Sequence, residues 1–154
     1  MNNSRAIENM MNTRSTTENM INSDFMVYQW TFTQEDDEAK ERSESENNFC
    51  KTLCNEDLDA VQWGLDNYKF KKTAWISARS LGNTFHIGNN CDSYIGEHMQ
   101  IDEDHFHSLS VGDLIVDCNT RTVHMVMKSG FKRVYLNFKL EMLREINSSE
   151  PKLH

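Results

Sequence analysis

The sequence predicts an α+β domain, a mainly antiparallel sheet whose C-terminal part is a three-strand meander, with one principal helix packed on it. Three observations lead there. Residues 25–33 and 69–78 have the β-branched and aromatic content of strands. Phe49, Leu53, Leu58, Val61 and Leu65 recur near helical spacing across 48–67. From Asp113 to Phe138, three strand-like runs follow one another with turn residues between them.

In chain order, residues 1–24 are rich in Asn, Met, Ser and Thr and read as a flexible or partly helical N-terminal arm. The domain proper spans 25–146. In its first strand Met26, Tyr28, Trp30 and Phe32 form the strongly apolar face, and Phe25, Val27, Gln29, Thr31 and Thr33 the other. Residues 34–47 read as an acidic loop. The principal helix follows, with Asn55 and Asp57 placed to kink or restart it because both compete for backbone donors. Arg79 to Asp104 is punctuated by Gly and Asn, with a short strand expected at 84–87. The meander strands lie near 113–118, 122–128 and 132–138, a short amphipathic helix covers 140–146, and 147–154 is a tail.

The 154 residues suit one domain able to bury a core without metals or disulfides. With 38% hydrophobic residues and a mean hydropathy of −0.70, that core is modest. No apolar run reaches membrane-spanning length, so no membrane partner is expected. No secretory signal precedes Cys50, Cys54, Cys91 and Cys118, and reduced thiols in a cytoplasm are the expectation. Cys50 and Cys54 share a helix face at i,i+4 and are expected as small filling at a helix–sheet contact.

The net charge of −8 is unevenly placed. Residues 1–59 carry 13 acids and 5 bases, whereas 60–154 carry 11 of each. Glu35, Asp36, Asp37, Glu38, Glu41, Glu44 and Glu46 form the acidic candidate surface for a partner protein. Arg121, Lys128, Lys132, Arg133 and Lys139, with no acid among them, form the alternative, a basic β-meander for nucleic acid. The sequence pI of about 5.2 opposes that alternative.

Catalytic signals are weak. Ser108, Ser110, His107 and Asp113 are the residue types of nucleophilic catalysis, but Gly112-Asp113 leads straight into a strand and reads as turn chemistry. There is no nucleophile elbow, phosphate loop or dinucleotide fingerprint. His98, His105 and His107, with Asp102, Glu103, Asp104 and Cys91 nearby in sequence, are the grouping for a small metal-dependent enzyme; Cys50 and Cys54 are the one short cysteine pair, and the second pair of a zinc site is missing. The expectation is a non-enzymatic protein with no cofactor and no metal.

The run His107-Ser108-Leu109-Ser110-Val111-Gly112-Asp113-Leu114, followed by Gly130-Phe131, resembles a motif of small phage and mobile-element accessory proteins, as in the YodL-like domain. There a His-Ser-[Leu or Met]-Ser-Val-Gly-Asp run precedes a strand, and a Gly-aromatic pair follows a second one. The likeness covers about 25 residues, and this chain departs from it in its Met-rich second strand. The resemblance supplies no catalytic residues. It implies a phage-like protein in the cytoplasm of a bacterial host; with the absent catalytic set and the localised negative charge, the expectation is a protein that binds and modulates a host transcription, restriction or defence component.

Overall fold

The computed structural model describes residues 22–31 and 39–148. The expected α+β class and antiparallel sheet are present. The strands are β1 (Ser23–Trp30), β2 (Phe70–Ala78), β3 (Met99–Ile101), β4 (Leu114–Asp117), β5 (Thr122–Val126) and β6 (Phe131–Val134). They form one antiparallel sheet in the order β3-β2-β1-β4-β5-β6. The helices are α1 (Ala39–Asn55), α2 (Leu58–Asp66), α3 (Leu81–Gly88) and α4 (Leu140–Ser148).

β1 is central, and every residue from Phe25 to Trp30 is buried. The alternation expected of a half-exposed strand instead feeds two cores. Met26, Tyr28 and Trp30 pack with Leu114, Val116 and Met125 of the sheet, Val61 and Leu65 of α2, and Met142 and Ile146 of α4. Phe25 and Val27 pack with Ala74, Ile76, Ile115 and Val126, Ile87 of α3, and Leu109 of the segment before β4. The sheet is therefore covered on both faces, and a buried strand no longer needs a polar side.

Several boundaries differ from expectation. The helix read over 48–67 starts earlier, at Ala39, and restarts where Asn55 and Asp57 are placed to restart it, with the break at Glu56 (φ 53°). Asp57 caps α2 by accepting from the backbone N–H groups of Asp59 and Ala60 at 2.9 and 3.3 Å. The acidic stretch is not a loop from residue 39 onward, because α1 begins there. Residues 84–87 are helical rather than extended, since Ser80 Oγ accepts from Asn83 N at 3.0 Å and starts α3. β1 begins at Ser23, inside the expected arm, and residues 32–33 of the expected strand lie outside the described residues, as does the arm over 1–21. α4 continues to Ser148, past the expected start of the tail, and the rest of that tail also lies outside. β3, not anticipated, pairs with β2 at the sheet edge.

β6 stops at Val134 rather than 138. Beyond it the Gln62 side chain replaces a strand partner, since Asn137 N donates to Gln62 Oε1 and Gln62 Nε2 donates to Asn137 O, both at 2.9 Å. This holds the 135–139 segment against α2, with Leu136 and Phe138 packed on the first core.

Gly64 shows how tightly α2 sits on the sheet. A Cβ there would lie 2.9 Å from Phe70 Cε2 and closer still to the Trp30 ring. Gly64→Ala, which on an exposed helix would stabilise by about 1 kcal/mol, is expected to destabilise by about 1–3 kcal/mol through overpacking. A urea midpoint equal to or above the parent's would contradict this packing.

Candidate functional site

The polar site of the molecule is built around Gln29, fully buried near the end of β1. Opposite it, the β1–β2 register slips between Val27 and Tyr28, which pair with Ala74 and Lys72. The extra residue is Thr73, a β-bulge. The bulge delivers Thr73 Oγ1 to Gln29 Oε1 at 2.6 Å. The same oxygen accepts from His107 N at 3.2 Å. Gln29 Nε2 donates to His107 O at 2.8 Å and to Asp113 Oδ2 at 2.9 Å. The carboxamide thus meets both backbone groups of His107, as a neighbouring strand would.

These bonds place a hydrogen on His107 Nδ1. Both hydrogens of Gln29 Nε2 are committed, so the 3.3 Å approach to His107 Nδ1 is not a donation to it. His107 Nδ1 carries its own hydrogen and donates to Ser108 O at 2.9 Å.

Asp113 closes the motif. Its Oδ2 also accepts from Ser110 N at 2.9 Å, and Asp113 N donates to Ser110 O at 3.1 Å. Gly112 between them has φ 93°, and a Cβ on it would stand 2.7 Å from Thr52 Cγ2 of α1. Glycine is needed here for both reasons. Burial pushes the Asp113 carboxyl up to about 6, against the lowering effects of the Gln29 and Ser110 bonds and of the His107 charge. A cavity of about 20 Å³ touches Asp113, His107, Ser110, Trp30 and Phe49. That is room for about one water, far below a substrate pocket of several hundred Å³. The constellation is built to fasten the 102–113 segment to the sheet, with the turn role expected of Gly112 and Asp113.

The other motif residues are spread out. Ser108 is exposed, Gly130 makes the β5–β6 turn with φ 82°, and Phe131 packs edge-on against Phe85 of α3 at 6.0 Å. The histidines have separate partners. His105 Nδ1 lies 3.1 Å from Asp102 Oδ2, which also receives Lys71 Nζ at 3.1 Å. Partial burial raises the Asp102 carboxyl, but these bonds outweigh it and hold it below its ordinary range. His98 stacks edge-on near Tyr94. Among the described residues no three His, Cys, Asp or Glu side chains gather to hold a metal ion.

The basic residues do not form one surface. Lys128 is drawn to the end of α1, with its Nζ donating to Cys54 O at 2.7 Å and its backbone N donating to Glu56 Oε2 at 2.6 Å. Lys139 lies over the Tyr68 ring at 5.4 Å. Lys132 and Arg133, adjacent on β6, point to opposite faces. Arg121 and Arg133 do meet, around a hollow of about 230 Å³ that Thr122, Tyr135 and Asn137 also line. Arg133 lies 5.0 Å from the centre of the Tyr135 ring, which is 80% exposed.

Of the acidic candidates, Glu44 and Glu46 are exposed on α1, and Glu46 accepts from Arg42 Nε at 3.1 Å. Glu41 lies on α1. Glu35, Asp36, Asp37 and Glu38 lie outside the described residues. Cys50 and Cys54, expected as buried filling, are both exposed.

Gln29, Thr73 and Asn89, whose Oδ1 accepts from Leu109 N at 2.7 Å, are the residues sequence reasoning missed. The available signal was a lone Gln inside an otherwise apolar and aromatic strand. No protein-family model, curated protein or solved structure matches this chain.

A carboxyl whose folded pKa is raised binds its proton more tightly in the native chain. Its contribution is therefore full below the ordinary value of 3.8 and is lost as pH rises through about 6. At about 1.4 kcal/mol per unit, that loss is about 3 kcal/mol. Asp113→Asn keeps an oxygen for Gln29 and Ser110 but has no proton to lose. Its stability relative to the parent should rise between about pH 4 and about pH 7. Parallel stability curves over that interval would refute the raised carboxyl.

Proposed function

We propose that this chain is a non-enzymatic binding protein that docks its acidic segment, Glu35 to Glu46, on a basic surface of a partner protein. The observation that carries the reading is the division of α1. Its C-terminal half is anchored through Phe49 and buried Thr52. Its first two turns, Ala39 to Glu46, hold no large apolar residue and leave Arg42, Ser43, Glu44 and Glu46 exposed, with Ser45 buried. Acids before and within the first turn favour the helix dipole, and Glu44 and Glu46 of the following turn are exposed. Seven acids against Lys40 and Arg42 make this the densest charge of the chain.

Steering by such a surface accelerates encounter with a positively charged channel and suppresses like-charged partners. In the phage-like context that the His107–Phe131 resemblance implies, the partner class is a host transcription, restriction or defence protein with a nucleic-acid channel.

A second reading has its own observation. The hollow between Arg121 and Arg133, beside exposed Tyr135, offers a guanidinium for a phosphate and a ring for an unpaired base. It would seat single-stranded nucleic acid on the β4–β6 meander.

The deciding experiment is capture from a nuclease-treated bacterial lysate by the tagged chain, beside a variant with Glu35, Asp36, Asp37, Glu38, Glu44 and Glu46 changed to Lys. One stoichiometric protein, retained by the parent, released by salt and lost with the variant, is expected. Equal retention by the variant would sink the acidic-docking reading. The second reading expects the purified chain to bind single-stranded oligonucleotide with steep salt dependence, weakened about tenfold or more by Tyr135→Ala, at about 1–3 kcal/mol per stacked base.

A further inference from the structure

Cys50 and Cys54 stand on the last two turns of α1 with their Sγ atoms 3.7 Å apart, and both are exposed. A tetrahedral zinc–thiolate site has bonds of about 2.3 Å, which puts neighbouring sulfurs about 3.8 Å apart. The pair is already spaced as one edge of such a tetrahedron. A soft divalent cation binds such a pair by taking the place of both thiol protons.

Two thiolates leave two corners open, and no third His, Cys, Asp or Glu joins them among the described residues. The surface around the pair says what can. Ser43, Asn47, Cys50 and Cys54 are all exposed, at spacings of four, three and four residues, the seam along which one helix meets another. None is bulky or charged, so a second helix can approach closely. An isologous contact would bring the same two cysteines of a second copy across a two-fold axis. Four thiolates around one divalent cation leave a net negative charge. Lys51, exposed beside Cys50, and Lys128, whose Nζ sits on Cys54 O, offset that charge.

We propose that Cys50 and Cys54 form a half-site for a zinc-class cation, completed by the same pair of a second copy to give a tetrathiolate centre. The step involves no oxidation: four thiols release four protons to solvent, and one divalent cation takes their place. The site is independent of the acidic-docking reading, since its test contains no partner protein.

The experiment uses the full chain, reduced with a non-thiol reductant and freed of metal, and titrated with Co²⁺ alone. Near-ultraviolet thiolate charge transfer and tetrahedral visible bands are expected to saturate at one Co²⁺ per two chains. Sedimentation should show the mass doubling, and Zn²⁺ should bleach the bands while preserving the dimer. Cys50→Ser and Cys54→Ser should each abolish bands and dimer with an unchanged far-ultraviolet circular dichroism spectrum, whereas Cys91→Ser should leave both intact. Absent thiolate bands, saturation at one ion per monomeric chain, or dimerisation that survives either serine substitution would overturn the proposal.

Discussion

The Gln29 carboxamide sits where three parts of the chain meet, and all four of its principal hydrogen-bonding positions are filled. Thr73 and His107 N supply its oxygen, while His107 O and Asp113 take its hydrogens. In a buried site each of these groups would cost about 1–3 kcal/mol if left unpaired, so the network forms as a unit or not at all. It holds the β2 bulge, the end of β1 and the entry to β4 in one register. The segment it fastens then lays Leu109 against Gly88 and Phe106 against the second core. Replacing Gln29 by an apolar residue of similar size would leave Thr73, His107 N and the Asp113 carboxyl buried without these bonds.

The second consequence is that the sheet is closed on both faces. Helices α1, α2 and α4 cover the first core, and α3 with the 102–113 segment covers the second. What remains for recognition is the surface of the helices and the edges of the sheet. At the β6 edge, Lys132 and Arg133 discourage pairing with another strand. At the outer surface, α1 carries acids at one end and a dithiol at the other. These features need no participation from the core, so they can change without disturbing the fold.

Much of the architecture was legible because local chemistry was consistent with it. The turn at Asn119-Thr120 formed because Asp117 Oδ1 accepts from both backbone N–H groups at 2.9 and 3.2 Å. The break at Asn55-Asp57 formed because Asp57 is a better cap than a helix interior residue. The motif at His107 to Asp113 was legible as a turn, and its Gly and Asp have that role. Its true partner was not legible. Gln29 is 84 positions from Asp113, and no local pattern joins them. The same is true of the basic meander, whose residues look contiguous in sequence yet diverge because strand neighbours alternate faces and Lys128 is recruited to the end of α1.

The sequence by itself determined the class of fold, the order of most elements, the absence of a membrane-length apolar run and the confinement of excess negative charge to the first 59 residues. Those follow from composition and short-range periodicity, which a single chain displays directly. The tertiary structure alone decided that β1 is buried on both sides, that residues 81–88 coil into a helix, that Cys50 and Cys54 face solvent together, and that burial raises the Asp113 carboxyl in spite of its bonds to Gln29 and Ser110. Each of these depends on which distant surfaces cover a residue, and burial is a property of the packed layers rather than of the neighbours in sequence.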